Sequence, residues 1–243
     1  MSNRLLCLLL SASLFAAGAV EAAGNTTIES FNKAKKILEH QVYQDHRITF
    51  YCLASFDRDK NITLPEGFVT PEHQKRAKRV EWEHVVPAEN FGRFFSEWRD
   101  GSPECVDSKG RSFKGRKCAE KASKEYRFMQ ADLYNLYPAI GAVNAIRSNF
   151  NYQMLPDTCP MKVANRRAEP PEYTRGPIAR STLYMAEAYA DVYKLSNQQR
   201  QLMEAWNKMY PADQWECTRA QRIQKIQKNE NRFVTEACRK AGL

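Results

Sequence analysis

The sequence predicts a mixed α+β fold, a helix-rich single domain, and three observations carry that prediction. Apolar residues recur at helical spacing near the start and through the last third of the chain. Two short stretches have the alternation or the β-branched and aromatic content of strands. No internal repeat and no long low-complexity linker divides the rest.

Taken in order, residues 1–22 read as a secretory signal peptide. Arg4 gives the charged start, "LLCLLLSASLFAAGAV" the apolar run, and small residues suit cleavage near Ala22 or Ala23. The 243 residues less these 22 leave 221, enough for one sizeable core, assigned to a single domain over 23–243. "IESFNKAKKILEHQVY" places Ile28, Phe31, Ala34, Leu38 and Val42 at helical spacing, and "HRITFYCLAS" alternates as a strand. "VEWEHVV" is a second strand, stopped by Pro87. "NFGRFFSEW" is helical, and the polar, Gly-rich residues 101–117 form a loop or long hairpin insertion. "CAEKASKEYRFMQADLYNLYP" is helical or mixed and ends at Pro138, and "AIGAVNAIRSN" is a short helix. The prolines make residues 167–177 a loop. Three helices follow, the second opened by a capping box of Ser196 and Gln199.

Thirty-seven Lys and Arg against 28 Asp and Glu give a net charge of +9, which removal of Arg4 and Glu21 leaves unchanged. A basic exported chain suits a polyanionic partner such as nucleic acid. Outside the signal stand Cys52, Cys105, Cys118, Cys159, Cys217 and Cys238, an even set that reads as three disulfides with about fifteen possible pairings. Zinc is disfavoured, because no Cys-x-x-Cys pair and no His beside a Cys occurs. Cys105 and Cys118 bracket the polar insertion, and a bridge between them would restrain the loop that carries Arg116.

Only four histidines are present. His40, His46 and His73 fall in polar or turn surroundings and read as solvated. His84 lies in the apolar strand with Glu81 and Glu83, and charged groups are seldom buried without partners. A lone strand histidine would read as a satisfied core residue; the neighbouring carboxylates weaken that reading. Ser-His-Asp and Cys-His arrangements, HExxH and a phosphate-cradling Gly loop are all missing. Asn144, in the short helix, leans to its buried side, where either a hydrogen bond to a loop or a cation would justify it.

The segments "EWEHVVPA", "YRFMQADLYNLYPAIGAVNAIRSN", "CPMKV", "EPPEYTRGPIAR", "AWNKMYP" and "WECTRAQRI", in this order, resemble the bacterial endonuclease I family over nearly the whole chain after the signal. The resemblance implies a ββα-metal (His-Me) finger. It implies His84 as general base, Glu83 and Asn144 as ligands of one divalent ion (Mg²⁺, with Mn²⁺ or Ca²⁺ open), and Arg116 as the clamp on the cleaved phosphate. Gln130 stands where the family often has Glu, and an amide cannot accept a proton. The implied activity is metal-dependent, sequence-nonspecific hydrolysis of double- and single-stranded DNA, RNA also being open. The products would carry 5′-phosphate ends, and the enzyme would be a periplasmic or secreted monomer. The runner-up is a non-catalytic binder of DNA or another polyanion.

Three further expectations follow from the chain. The basic runs "HQKRAKR" and "RRAEPPEYTRGPIAR" contact phosphates. "TRAQRIQKIQKNENR" packs one face through Ile223 and Ile226. Glu83 and His84, as strand neighbours, point to opposite sides, so they share a site only across the end of the strand.

Overall fold

The computed structural model describes residues 23–154, 159 and 161–243; the expected signal peptide lies outside them. Ser30 caps the first helix, α1 (Phe31–Ile37), by accepting from the Lys33 amide, and a π-type turn extends it to Val42. The short strands β1 (Ser55–Phe56) and β2 (Ile62–Thr63) pair antiparallel, and α2 (Gln74–Ala77) leads into β3 (Val80–His84). Next come α3 (Ala88–Gly92), α4 (Ser96–Arg99), α5 (Arg116–Ala122), α6 (Lys124–Gln130), β4 (Leu136–Ile140) and α7 (Gly141–Arg147). A three-stranded sheet of β5 (Asn151–Tyr152), β7 (Arg167–Glu169) and β6 (Lys162–Ala164), in that spatial order, is followed by the helices α8 (Arg175–Ala188), α9 (Asn197–Met209), α10 (Gln214–Gln227) and α11 (Arg232–Ala241).

This is the expected mixed, helix-rich architecture, and several elements depart from their predicted form for physical reasons. Residues 46–55 are a turn more than a strand. Cys52 and Leu53 adopt positive φ of 65° and 50°, and only an Ile48–Ser55 bridge remains of the ladder. Residues 167–177 are not a loop. Arg167–Glu169 pairs in a sheet, and Pro177 sits in the first turn of α8, where no backbone N–H is needed. Pro138 lies mid-strand. Its carbonyl accepts from the Phe50 amide at 2.7 Å, so its backbone faces away from β3 and the ladder loses no donor. Ile223 is fully buried, as the packing reading of α10 expects.

Three disulfides tie the fold: Cys52–Cys159, Cys105–Cys118 and Cys217–Cys238. The second closes the loop whose last residues open α5 at Arg116. Two of the basic residues expected at phosphates are buried in the core instead. Arg180 is fully buried in an ion pair with Glu216 at 2.5 Å, and Arg175 is buried near Trp206 and Tyr210. His46 is not simply solvated but stacks on Trp215 with ring centroids 3.8 Å apart.

The start of the described chain is bonded into the core. The Asn25 amide donates to the Tyr189 hydroxyl (2.8 Å) and to Asp132 Oδ2 (3.3 Å), and its side chain donates to the carbonyls of Ile28 and Phe128. The Tyr184 and Tyr189 hydroxyls both donate to Asp132 Oδ2 at 2.7 Å. A Cβ at Gly24 would stand 2.3 Å from the Tyr189 ring, so only glycine lets the chain pass there. Among the described residues, no helix is long and apolar enough to cross a membrane.

Candidate active site

The site is built on β3, β4 and α7. The two strands pair antiparallel from Val80↔Ile140 to His84↔Leu136, and α7 begins immediately after β4. Close packing of this unit needs Gly141, where a Cβ would stand 2.5 Å from the Arg76 carbonyl. Strand period two and helix spacing three then bring matching pairs together. Glu81 and Glu83 share one face of β3, and α7 meets them with Asn144 and Arg147. Asn144 Nδ2 donates to Glu81 Oε2 at 3.0 Å, while Arg147 Nη1 stands 3.0 Å from Glu83 Oε1.

Arg147 was not singled out in the sequence, yet it organises the end of the strand. It is 1% exposed and donates to the carbonyls of His84 (2.8 Å) and Val85. Its guanidinium lies 4.5 Å from the ring of Tyr152, whose hydroxyl is 2.6 Å from that of Tyr51. Tyr51 in turn donates to Glu83 Oε1 at 3.3 Å. Burial pushes the Glu83 carboxyl up to about 7, with Arg147 opposing the rise. Both contacts fall on Oε1, so the carboxylate keeps lone pairs on Oε2 for another partner.

His84 points the other way. Its ring packs on Phe31, with centroids 4.9 Å apart, and beside Phe91, and Nε2 lies 2.8 Å from the carbonyl oxygen of Gln130. A carbonyl only accepts, so Nε2 carries the proton and Nδ1 keeps its lone pair. Burial, followed by the charges of Arg116 and Arg147, drives the imidazole down to about 3 against the Gln130 bond.

That shift has a sign that can be tested. In EDTA, unfolded chains bind the His84 proton near 6.5, whereas the folded protein resists it until about 3. Stability should therefore fall as pH drops through this window, by up to about 1.4 kcal/mol per pH unit. His84→Asn should have a slope shallower by that amount in urea unfolding. Parallel slopes for the two proteins would contradict the assignment.

Arg116 opens α5. Its Nη2 donates to Gln130 Oε1 at 3.4 Å, its Nε lies 3.7 Å from Glu120, and its guanidinium stands 5.2 Å from the Phe31 ring. Gln130 therefore supports both partners, its backbone holding His84 and its side chain touching Arg116. A cavity of about 340 Å³ joins Glu83, His84, Arg116 and Asn144, with Phe31 and Glu89 on its wall. The strand neighbours do face opposite ways, and the cavity at the strand's end connects them.

The donor chemistry suits a divalent ion. Among the described residues, no group of three or more His, Cys, Asp or Glu could hold a metal. The cavity offers instead a carboxylate oxygen of Glu83 and, because Asn144 Nδ2 is committed to Glu81, the amide oxygen of Asn144. Two hard oxygens with room for water and phosphate fit Mg²⁺, which keeps several waters and demands few protein ligands.

A buried imidazole whose Nε2 is held by the Gln130 carbonyl, a carboxylate and an amide oxygen, and an arginine thus line one cavity. The sequence comparisons specify the family. The Endonuclease I family model matches residues 27–238, and the chain belongs to that family. It is 39% identical to an extracellular deoxyribonuclease of Aeromonas hydrophila over 229 residues, covering 87% of this chain and 90% of the relative. It is 38% identical to a periplasmic deoxyribonuclease of the same organism over 228 residues, covering 86% and 87%. Against Endonuclease-1 of Buchnera aphidicola it is 37% identical over 226 residues, covering 88% and 84%.

Proposed function

We propose that this protein is an exported, metal-dependent endonuclease that hydrolyses phosphodiester bonds of double- and single-stranded DNA without sequence preference and leaves 5′-phosphate ends. We read β3, β4 and α7 as its ββα-metal finger. The observation that carries the proposal is His84, a buried neutral imidazole with Nδ1 free, sharing one cavity with Glu83, Asn144 and Arg116. The names of the deoxyribonuclease relatives supply the substrate and the export.

Glu83 Oε2 and Asn144 Oδ1 would hold one divalent ion, Mg²⁺ or alternatively Mn²⁺ or Ca²⁺. When bound, the ion supplies charge neutralisation at the scissile phosphate and at the leaving oxygen. His84 Nδ1 takes the proton of the attacking water, and the Gln130 carbonyl keeps the ring in the tautomer that can do so. Arg116 holds a non-bridging phosphate oxygen through fixed charge and paired N–H groups. Gln130 Oε1 orients Arg116 and takes no proton. Arg147 holds the Glu83 carboxylate from behind and fixes the end of the strand.

Plasmid nicking with and without EDTA is the direct test. Cleavage in Mg²⁺ that stops in EDTA and returns with added ion is expected. A plasmid shifted on a gel without being cut would instead identify a non-catalytic DNA or polyanion binder. Asn144→Leu should raise the Mg²⁺ concentration for half-maximal rate at least about tenfold, and Asn144→Asp should also weaken the site, because it replaces the Nδ2 donor to Glu81 Oε2 with a second carboxylate oxygen. A Leu variant with unaltered Mg²⁺ dependence would remove Asn144 from the ligand set.

A further inference from the structure

Beside the catalytic cavity lies a second, larger depression of about 630 Å³ between α3, the β5–β7–β6 sheet and the start of α9. Four cations reach it: Arg93, Arg166, Arg167 and Lys194. No Asp or Glu lines it. Arg93 is paired with Glu89, but Arg166, Arg167 and Lys194 make no ion pair among the described residues. Arg166 and Lys194 are exposed. Uncompensated like charges gathered in one concavity raise the free energy of the empty groove, and an anion relieves it.

The other lining groups suit a chain of phosphates better than a single small anion. Asn90, Asn149, Asn151 and Asn165 bring amides that donate to oxygen without adding charge. Phe94, 47% exposed, and Phe150 offer ring faces. Arg166 stands at positive φ, 58°, at the turn between β6 and β7, with its guanidinium 5.3 Å from the Phe150 ring. The groove is continuous with the catalytic cavity, because Asn149 lines both and its Nδ2 donates at 2.7 Å to Glu89 on the cavity wall.

We propose that this groove is an extended phosphodiester subsite, which holds the nucleic-acid strand flanking the scissile phosphate through Arg166, Arg167 and Lys194. The inference rests on the nuclease reading above and adds where the substrate runs. It also accounts for the basic run at 166–180: Arg166 and Arg167 face substrate, whereas Arg175 and Arg180 are buried in the core.

The test compares Arg166→Gln/Lys194→Gln with a control of equal charge loss elsewhere, Arg239→Gln/Lys240→Gln. Each is assayed on a long DNA duplex and on a small diester, thymidine 5′-(4-nitrophenyl phosphate), which is too short to enter the groove. The groove pair should lower kcat/KM on duplex by about tenfold or more and flatten the log–log salt dependence by about 0.9 per lost contact, about 1.8 in all. Cleavage of the small diester should be unchanged, and the control pair should leave the salt slope steep. Equal salt slopes for the two pairs, or a parallel loss on the small diester, would overturn the subsite. Duplex affinity measured in EDTA by fluorescence anisotropy reads the groove without catalysis. If the wild type cut neither substrate, the nuclease reading would fail, while a selective affinity loss in the groove pair would still establish a nucleic-acid groove.

Discussion

His84→Ala is expected to lower kcat on plasmid DNA by about 10²–10⁴-fold, the usual contribution of a positioned base, with little change in affinity for DNA. The reasoning is geometric. Nε2 is committed to the Gln130 carbonyl, so only Nδ1 can accept a proton, and burial keeps it unprotonated at neutral pH. The truncation also opens space beside Phe31, so added imidazole should recover part of the lost rate. A variant that cuts as fast as wild type would dismiss His84 as base. Loss of DNA affinity in step with the rate would mean that the ring supports the fold of the site and does not act in the reaction.

The second large effect concerns stability. Arg147→Met should cost about 3–5 kcal/mol in urea unfolding, because it strands a buried carboxylate. Glu83 would lose its cation, and the carbonyls of His84 and Val85 would lose their donors. Adding Glu83→Gln to Arg147→Met should restore part of the stability, since a neutral amide tolerates burial better than an unpaired charge. The double variant should remain inactive, because the Glu83 oxygen is also proposed to hold the ion. Equal stability of the single and double variants would show that the pair is not coupled.

Much of the candidate site could be read from local pattern. The strand around Glu83 and His84, its stop at Pro87 and the short helix carrying Asn144 all depend on neighbours within a few residues, and the structure contains each of them. Cys105 and Cys118, thirteen residues apart across a polar loop, belong to the same class. What escaped the reading depends on distant partners. Arg147 at the end of a helix looks like an ordinary solvated cation favoured by the helix dipole. Its burial follows from Glu83, on a strand that meets α7 only in the folded protein. Arg180 pairs with Glu216 in the same manner, and Cys52 meets Cys159 across 107 residues. Pro138 reads as the end of a helical or mixed segment, and only the external Phe50 amide shows that a proline can sit mid-strand there without costing the ladder a donor. The cationic groove likewise joins Arg166 and Arg167, from the basic run noticed in the sequence, to Arg93 and Lys194 from separate segments that gave no such signal.

The docking of Asn25 bears on the order in which the molecule becomes competent. Its partners Phe128, Asp132 and Tyr189 lie 103, 107 and 164 residues along the chain. That seat does not exist until α6 and α8 have come together, and closing such long loops is slow. Phe31, six residues after Asn25, covers the His84 imidazole and underlies Arg116. Phe31, which roofs the His84 cavity, thus belongs to a segment whose docking waits on these distant partners. During refolding, with the disulfides intact, hydrolytic competence should trail the burial of Trp206 at the distant α8–α9 contact. A folding molecule would pass through a stage in which most of its core has consolidated while the His84 imidazole remains uncovered.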